Sequence, residues 1–315
     1  MATITDDHVA SVSLTDADRH PGAFADQLGR SFEDFGFAII ADHGIPDALI
    51  TQAEDKAKAF FALPEEVKRK YLIAGGGGQR GYTPFGIETA KGQTAHDLKE
   101  FWHVGRDLAP GHPFRDHMPD NVWPAEVPGF KETFEELYAA FESAGLKILK
   151  AIARYLKIDE DYFIDTVRDG NSVMRLLHYP PIAGEPGSNV RAGAHEDINT
   201  ITLLLGAEEA GLELLTKDGR WIPVSPKPGE LVVNIGDMLQ RLTNGRLRST
   251  THRVVNPPPE RRGKSRYSMP FFLHFRSDFL IEALPGTVPA GEQPKWPPMT
   301  ANDYLQERLR EIKLV

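Results

Sequence analysis

Apolar positions change their period along the chain, and the change near Ser172 separates two kinds of element. Phe24, Leu28, Phe32 and Phe35 recur at helical spacing; Gly36 then interrupts, and Phe37–Ala41 has the length and apolarity of a buried strand. A second helix is predicted from Pro46, where a missing backbone donor costs nothing, to about Pro64. Glycines 75–78 read as a loop. From Phe130, the positions Phe134, Leu137, Phe141, Ile148, Ile152 and Leu156 keep mostly to one face. They predict a helix about 40 Å long at roughly 1.5 Å per residue, bracing the sheet that follows.

Beyond Ser172 the chain breaks into short β-rich runs at 173–179, 200–205, 212–216, 221–224, 230–235, 250–255 and 266–275. Asp218-Gly219 has the composition of a hairpin turn, and Asn244-Gly245 marks another tight connection. Many short strands so spaced predict a sandwich or jelly-roll barrel. The stretch 302–312 reads as a closing helix with Tyr304, Leu305 and Leu309 on one side. No internal repeat interrupts this plan.

Composition narrows the chemistry. At roughly 150 residues per domain, 315 residues allow one large domain or two modest ones. The absence of cysteine excludes disulfides, thiolate metal sites and a cysteine nucleophile, and fits a reducing compartment. Any metal must be held through nitrogen and oxygen. With 36 basic against 45 acidic side chains the net charge is −9, which argues against a nucleic-acid partner. No apolar run approaches the roughly 18 residues of a bilayer span, so no membrane partner is expected. The N-terminus carries early acids and no apolar signal segment. These features predict a soluble, cytoplasmic protein.

Eleven histidines are the place to look for a metal. In extended chain, residues i and i+2 project from one face, about 6.6 Å apart, so His195 and Asp197 can converge on one ion while Glu196 points away. His252 lies inside the apolar run 250–255, and Arg266 and Ser268 form a further i, i+2 pair at the start of the next run. Taken singly, a strand histidine is a hydrogen-bonded core residue and an arginine at a strand start is a surface residue. Taken together on β-rich segments, two histidines and one carboxylate make the facial triad of non-heme Fe(II), which leaves positions open for exogenous ligands. A dication, one aspartate and a bound dicarboxylate leave one net negative charge, which a guanidinium cancels. Arginine suits that task because it clamps carboxylates bidentately, with Ser268 adding a hydroxyl on the same face.

The chain resembles the Fe(II)/2-oxoglutarate-dependent dioxygenases of the isopenicillin N synthase-like group. The segments that carry the resemblance span nearly its whole length: DFGFAIIADHGIP, RGYTPFGIETAKG, DLKEFW, LLHYPP, AHEDINTITLLL, GRWIPVSPKPGELVVNIGDMLQRLTNG, STTHRVVNP and SRYSMPFF. The resemblance implies His195, Asp197 and His252 as iron ligands, with Arg266 and Ser268 gripping the distal carboxylate of 2-oxoglutarate. Tyr179 matches a tyrosine that bonds the same co-substrate. Arg80 and Tyr82 match a region from which relatives contact substrate; the alternative is a plain structural loop. Independently, Arg175 shares a strand face with Leu177 and Tyr179, so it either enters the cavity or forms an ordinary ion pair. Phe272 and His274 have the parity of Arg266 and Ser268 and could line a substrate chamber, although Pro270 can disturb that parity.

Other signals fall away. Gly76, Gly78 and Gly81 satisfy G-x-G-x-x-G, but Pro84 follows and no helix opens, against a dinucleotide site. Arg261, Arg262 and Lys264 read as a solvated hairpin loop, and His195-Glu196 lacks the second histidine of a zinc protease helix.

The expected fold is mixed α/β with a double-stranded β-helix (jelly-roll) core flanked by helices. It comprises an N-terminal α/β region at 1–125, bracing helices at 126–169, the jelly-roll core at 170–280 and a C-terminal helix at 281–315, in one structural unit. The implied cofactors are Fe(II), 2-oxoglutarate and O2. The implied reaction is oxidation of a small-molecule C–H bond with release of succinate and CO2, by hydroxylation or else desaturation or cyclisation. Two alternatives stand beside it: an Fe(II) oxidase of the same fold that does not use 2-oxoglutarate, and a non-catalytic cupin-like binding protein. Arg80 and Arg175 point to an anionic or amino-acid-like ligand, and nothing in the sequence bears on oligomeric state.

Overall fold

The structure, a computed structural model, describes residues 8–73, 78–87, 98–182, 190–206 and 211–311. In chain order its strands are β1 (Ser11–Ser13), β2 (Phe37–Ala41), β3 (Gly81–Thr83), β4 (Glu100–Gly105), β5 (Val173–Tyr179), β6 (Ala192–His195), β7 (Ile201–Leu205), β8 (Leu212–Leu215), β9 (Trp221–Pro223), β10 (Leu231–Ile235), β11 (His252–Val254), β12 (Arg266–Leu273), β13 (Leu280–Ile281) and β14 (Met299–Thr300). The α-helices are α1 (Asp16–Arg19), α2 (Pro21–Asp34), α3 (Asp47–Phe61), α4 (Glu65–Lys68), α5 (Phe130–Leu156), α6 (Tyr162–Val167), α7 (Asp237–Leu242) and α8 (Ala301–Glu311).

Each β-rich run expected after Ser172 forms a strand, and further elements appear that the pattern did not announce, among them β3, β4, β6, α7, β13 and β14. Pro46 caps α3 rather than opening it, and α8 starts one residue earlier than expected. The glycine loop lies outside the described residues except for Gly78. No described helix is long and apolar enough to cross a membrane.

Two sheets make the double-stranded β-helix. The larger has the order β1-β2-β10-β7-β12-β5-β4-β3, the smaller β6-β11-β8-β9. Four strands of the larger sheet come from the first 105 residues, so it runs across the expected boundary at 125. The hairpin at Asp218-Gly219 joins β8 to β9. Strand alternation then sorts the side chains. Outward residues such as Trp102, Met174, Leu176, Leu203, Val233 and Phe271 join one large apolar core with α2, α3 and α5. Inward residues Phe37, Ile39 and Val232 pack with Leu212, Leu214 and Ile222 of the smaller sheet.

Helix α5 spans 27 residues and braces the outer face as predicted. Phe141 stacks on Phe271 at 5.2 Å between ring centroids, and Tyr138 meets the same ring edge-on at 4.9 Å. Gly145 permits this approach: a Cβ there would lie 2.5 Å from Leu273 Cδ1. Pro270 leaves β12 in register, since Met269, Pro270 and Phe271 face Leu205, Leu204 and Leu203 in unbroken order. The inward parity of Arg266, Ser268 and Phe272 therefore survives the proline.

Candidate active site

His195 ends β6 and His252 opens β11, and the two are direct ladder partners with ring centroids 4.4 Å apart. Asp197 follows two residues after His195, outside the strand. One ligand atom from each of the three lies within 4.8 Å of the others. Asp197 Oδ1 is 3.7 Å from His195 Nε2 and 3.8 Å from His252 Nε2. Glu196 turns away and accepts a hydrogen bond from Thr251 Oγ1.

Neighbouring groups fix which atoms face the centre. The His195 Nδ1 pairs with the Gly193 carbonyl at 2.7 Å and the His252 Nδ1 with the Thr250 carbonyl at 3.0 Å. A carbonyl only accepts, so each Nδ1 carries the proton and each Nε2 presents a lone pair. Asp197 Oδ2 accepts from Thr202 Oγ1 at 2.6 Å and Asn234 Nδ2 at 2.8 Å, leaving Oδ1 toward the imidazoles. The Asp197 carbonyl accepts from the Asp237 amide at 2.7 Å. Thr202 and Asn234 are ladder partners on β7 and β10. The larger sheet thus grips the aspartate while the smaller sheet carries the histidines.

Burial pushes the Asp197 carboxyl up, but His252, His195, Asn234 and Thr202 outweigh it and hold the group below its ordinary range. The His195 side chain keeps 39% of its surface open, yet its ring is enclosed deeply enough that burial, then His252, lowers its pKa to about 4. Two imidazoles turned Nε2-inward, a carboxylate oxygen and an open edge at His195 form a donor set suited to a ferrous ion.

Arg266 is the second part of the site. It is 2% exposed and pairs with Tyr179 across β12 and β5. Its Nη1 donates to Ser268 Oγ at 3.3 Å and its Nη2 to the Gly206 carbonyl at 3.4 Å, while Nε has no partner among the described residues. The guanidinium lies 5.1 Å from the centroid of the Tyr179 ring. A buried guanidinium with an orphaned N–H beside a hydroxyl and a phenol is suited to a carboxylate. Arg191, which the sequence reading missed, approaches the same ring at 5.7 Å.

Further along the inward face, Arg175 donates from Nε to His103 Nε2 at 2.6 Å and lies 4.2 Å over Phe101 and 5.5 Å from Phe272. His274, just beyond β12, is 7% exposed, and burial lowers its pKa to about 4. Asp197 acts against that shift through space without overcoming it. Tyr82 does not join these residues. It pairs with Trp102 on the outward side, meets Phe60 edge-on and donates to Glu100. The reason is Gly81, whose φ of 70° breaks the alternation between residues 80 and 82.

Thr202, Asn234, Phe101 and His103 also escaped the sequence reading. Asn234 had a visible signal, being the one polar residue of the run Leu231–Ile235. His103 had none, because β4 was not foreseen.

Comparison with known proteins places this geometry. Residues 9–126 match the model of the N-terminal region of non-haem dioxygenases in morphine synthesis, and residues 170–275 that of the 2OG-Fe(II) oxygenase superfamily. The chain is 38% identical over 290 residues to the 2-oxoglutarate-Fe(II) type oxidoreductase hxnY of Emericella nidulans, covering 89% of this chain and 82% of that protein. A solved protein assigned to the 2OG-Fe(II) oxygenase family from Caulobacter crescentus is 58% identical, with a TM-score of 0.91 and coverage of 96% of this chain and 99% of that one. A full-length Neurospora crassa protein solved in complex with alpha-KG and thymine is 30% identical, with a TM-score of 0.86 over 98% of this chain and 99% of that one.

Proposed function

The chain belongs to the 2OG-Fe(II) oxygenase superfamily, and from that premise we propose that His195, Asp197 and His252 hold its ferrous ion while Arg266, Ser268 and Tyr179 hold its 2-oxoglutarate. It is an enzyme that uses Fe(II), 2-oxoglutarate and O2 to oxidise a small molecule, releasing succinate and CO2. The bound metal and co-substrate supply the oxidising power that activates a C–H bond; the protein supplies orientation and exclusion of water.

The observation that carries the residue assignment is the division of labour at Asp197. Oδ2 is occupied by two donors of the larger sheet, and Oδ1 is left facing two Nε2 atoms whose tautomers are set by carbonyls. Such outer partners fix ligand orientation and raise ligand basicity. The orphaned Arg266 Nε, buried beside Ser268 and Tyr179, supports the assignment of the distal carboxylate to this end. Arg175, Phe272 and His274 are the proposed substrate contacts, and Arg80 contributes from the next row. Hydroxylation is the expected outcome.

Anaerobic addition of 2-oxoglutarate to the Fe(II) protein is expected to produce a visible metal-to-ligand charge-transfer band, with slow succinate formation once air is admitted. A protein that binds iron but gives neither band nor succinate would refute the assignment.

A further inference from the structure

Arg80 is a buried charge that neither the metal nor the co-substrate uses. It is 2% exposed, and among the described residues its Nε and Nη2 have no hydrogen-bond partner while its Nη1 donates to the neighbouring Gln79 carbonyl at 2.8 Å. The guanidinium lies flat on Gly105: a Cβ at that residue would sit 1.9 Å from Arg80 Cζ. Gly105 alternates with Phe101 and His103, so the side a Cβ would occupy is the inward one. Gly105 faces Val173, and Val173 faces Phe272. Arg80 therefore covers the inward side of Gly105 at the end of β4, one row along from the His103–Arg175 pair.

A buried cation without an anionic partner is costly, and chains keep one where something else completes it. Tyr138, Asp107 and Asp120 act on Arg80 only through space, without a hydrogen bond, and burial outweighs them. The ferrous ion, Asp197, a bound diacid and Arg266 already sum to zero, so the co-substrate leaves no charge over for Arg80. Arg175 is half-buried, and its position between Phe101 and Phe272 puts a cation beside an apolar surface.

We propose that the substrate is a small carboxylic acid, its carboxylate drawn to the Arg175 guanidinium with Arg80 as the charge behind it, and its apolar body against Phe101 and Phe272. This names the substrate class for the function proposed above and rests on that reading. Arg175 is the group a ligand touches from the cavity. Arg80, whose Nε and Nη2 are closed to solvent, acts through low-dielectric protein, where a charge reaches further than in water.

The test uses the full chain with Fe(II) and saturating 2-oxoglutarate under anaerobic conditions, so that the Arg266 end is filled. Matched probes are titrated calorimetrically: benzoate against benzamide, phenylacetate against phenylacetamide, and cyclohexanecarboxylate against its carboxamide. At least one acid is expected to bind tenfold or more tightly than its amide. Arg175→Gln should abolish that preference, Arg80→Gln should cut it several-fold, and Arg80→Lys should retain most of it. The wild-type affinity for the preferred acid should fall as salt is raised, a readout that needs no variant to fold. A panel in which no acid outbinds its amide, silence included, overturns the proposal, as does a preference indifferent to both arginines or to salt. The charge-transfer band in the same samples reports separately on the underlying reading: its absence undoes that reading, whereas a normal band without acid preference undoes only the substrate class.

Discussion

Strands β4 and β5 carry buried polar side chains on both faces, and the two sets differ in how completely they are bonded. On the outward face Glu100 accepts from Lys68 Nζ at 2.7 Å, from the Tyr82 hydroxyl and at 2.7 Å from His178 Nδ1, while His178 Nε2 pairs with Ser265 Oγ at 3.0 Å. On the inward face Arg80 keeps two orphaned nitrogens and, one strand over on β12, Arg266 keeps one. The outward cluster is finished by the chain itself and joins α4, β3, β4 and β5 into one body. The inward groups are left for a ligand to finish. Among the charged side chains of these faces, unsatisfied buried nitrogens thus mark the working face more sharply than polarity does, whereas the outward face leaves only a neutral group, the Trp102 indole Nε1, without a partner among the described residues.

Breaking the metal end should have the largest effect. Asp197→Ala is expected to abolish stoichiometric iron binding and succinate release while leaving the fold's circular dichroism intact; a variant that retained iron and turnover would remove the aspartate from the site. Next comes the closed network. Glu100→Gln leaves the buried Lys68 with only the half-exposed Glu65 carboxylate at 3.4 Å and should cost up to about 3 kcal/mol in denaturant unfolding. Burial pushes Glu100 up, but bonds from His178, Lys68 and Tyr82 outweigh it and hold the carboxyl below its ordinary range. A depressed carboxyl stabilises the fold above its unfolded pKa of about 4.3, and that contribution is lost as pH falls through the folded value. The stability gap between wild type and variant should therefore be full near neutrality and close in acid; a gap that widened below pH 4 would contradict the network.

Smaller effects sharpen the contrast. Thr202→Val frees Asp197 Oδ2 from one donor and should weaken iron affinity by about 10- to 100-fold, measured by competition with a chelator, at little cost to unfolding. Arg80→Met removes an unpartnered buried charge at similar volume and should leave the ligand-free protein within about 1 kcal/mol of wild type, or slightly more stable. A loss as large as that at Glu100 would mean that Arg80 is finished by the chain after all.

The order of elements was legible because strand and helix periods are local properties. Alternation over 4–8 residues and the 3.6-residue repeat from Phe130 are written in neighbouring positions, and His195, Asp197, His252, Arg266 and Ser268 stood out by residue type and spacing. Tertiary structure alone decided which faces meet. Thr202 and Asn234 are 32 positions apart in sequence, and only the ladder between β7 and β10 puts both on Asp197. Arg80 and Tyr82 look equivalent at i and i+2, yet one backbone angle at Gly81 sends the first over Gly105 and the second into the core. The sequence determines which groups are present and how each strand alternates; hydrogen-bonded pairing between distant segments determines which of those groups share a cavity.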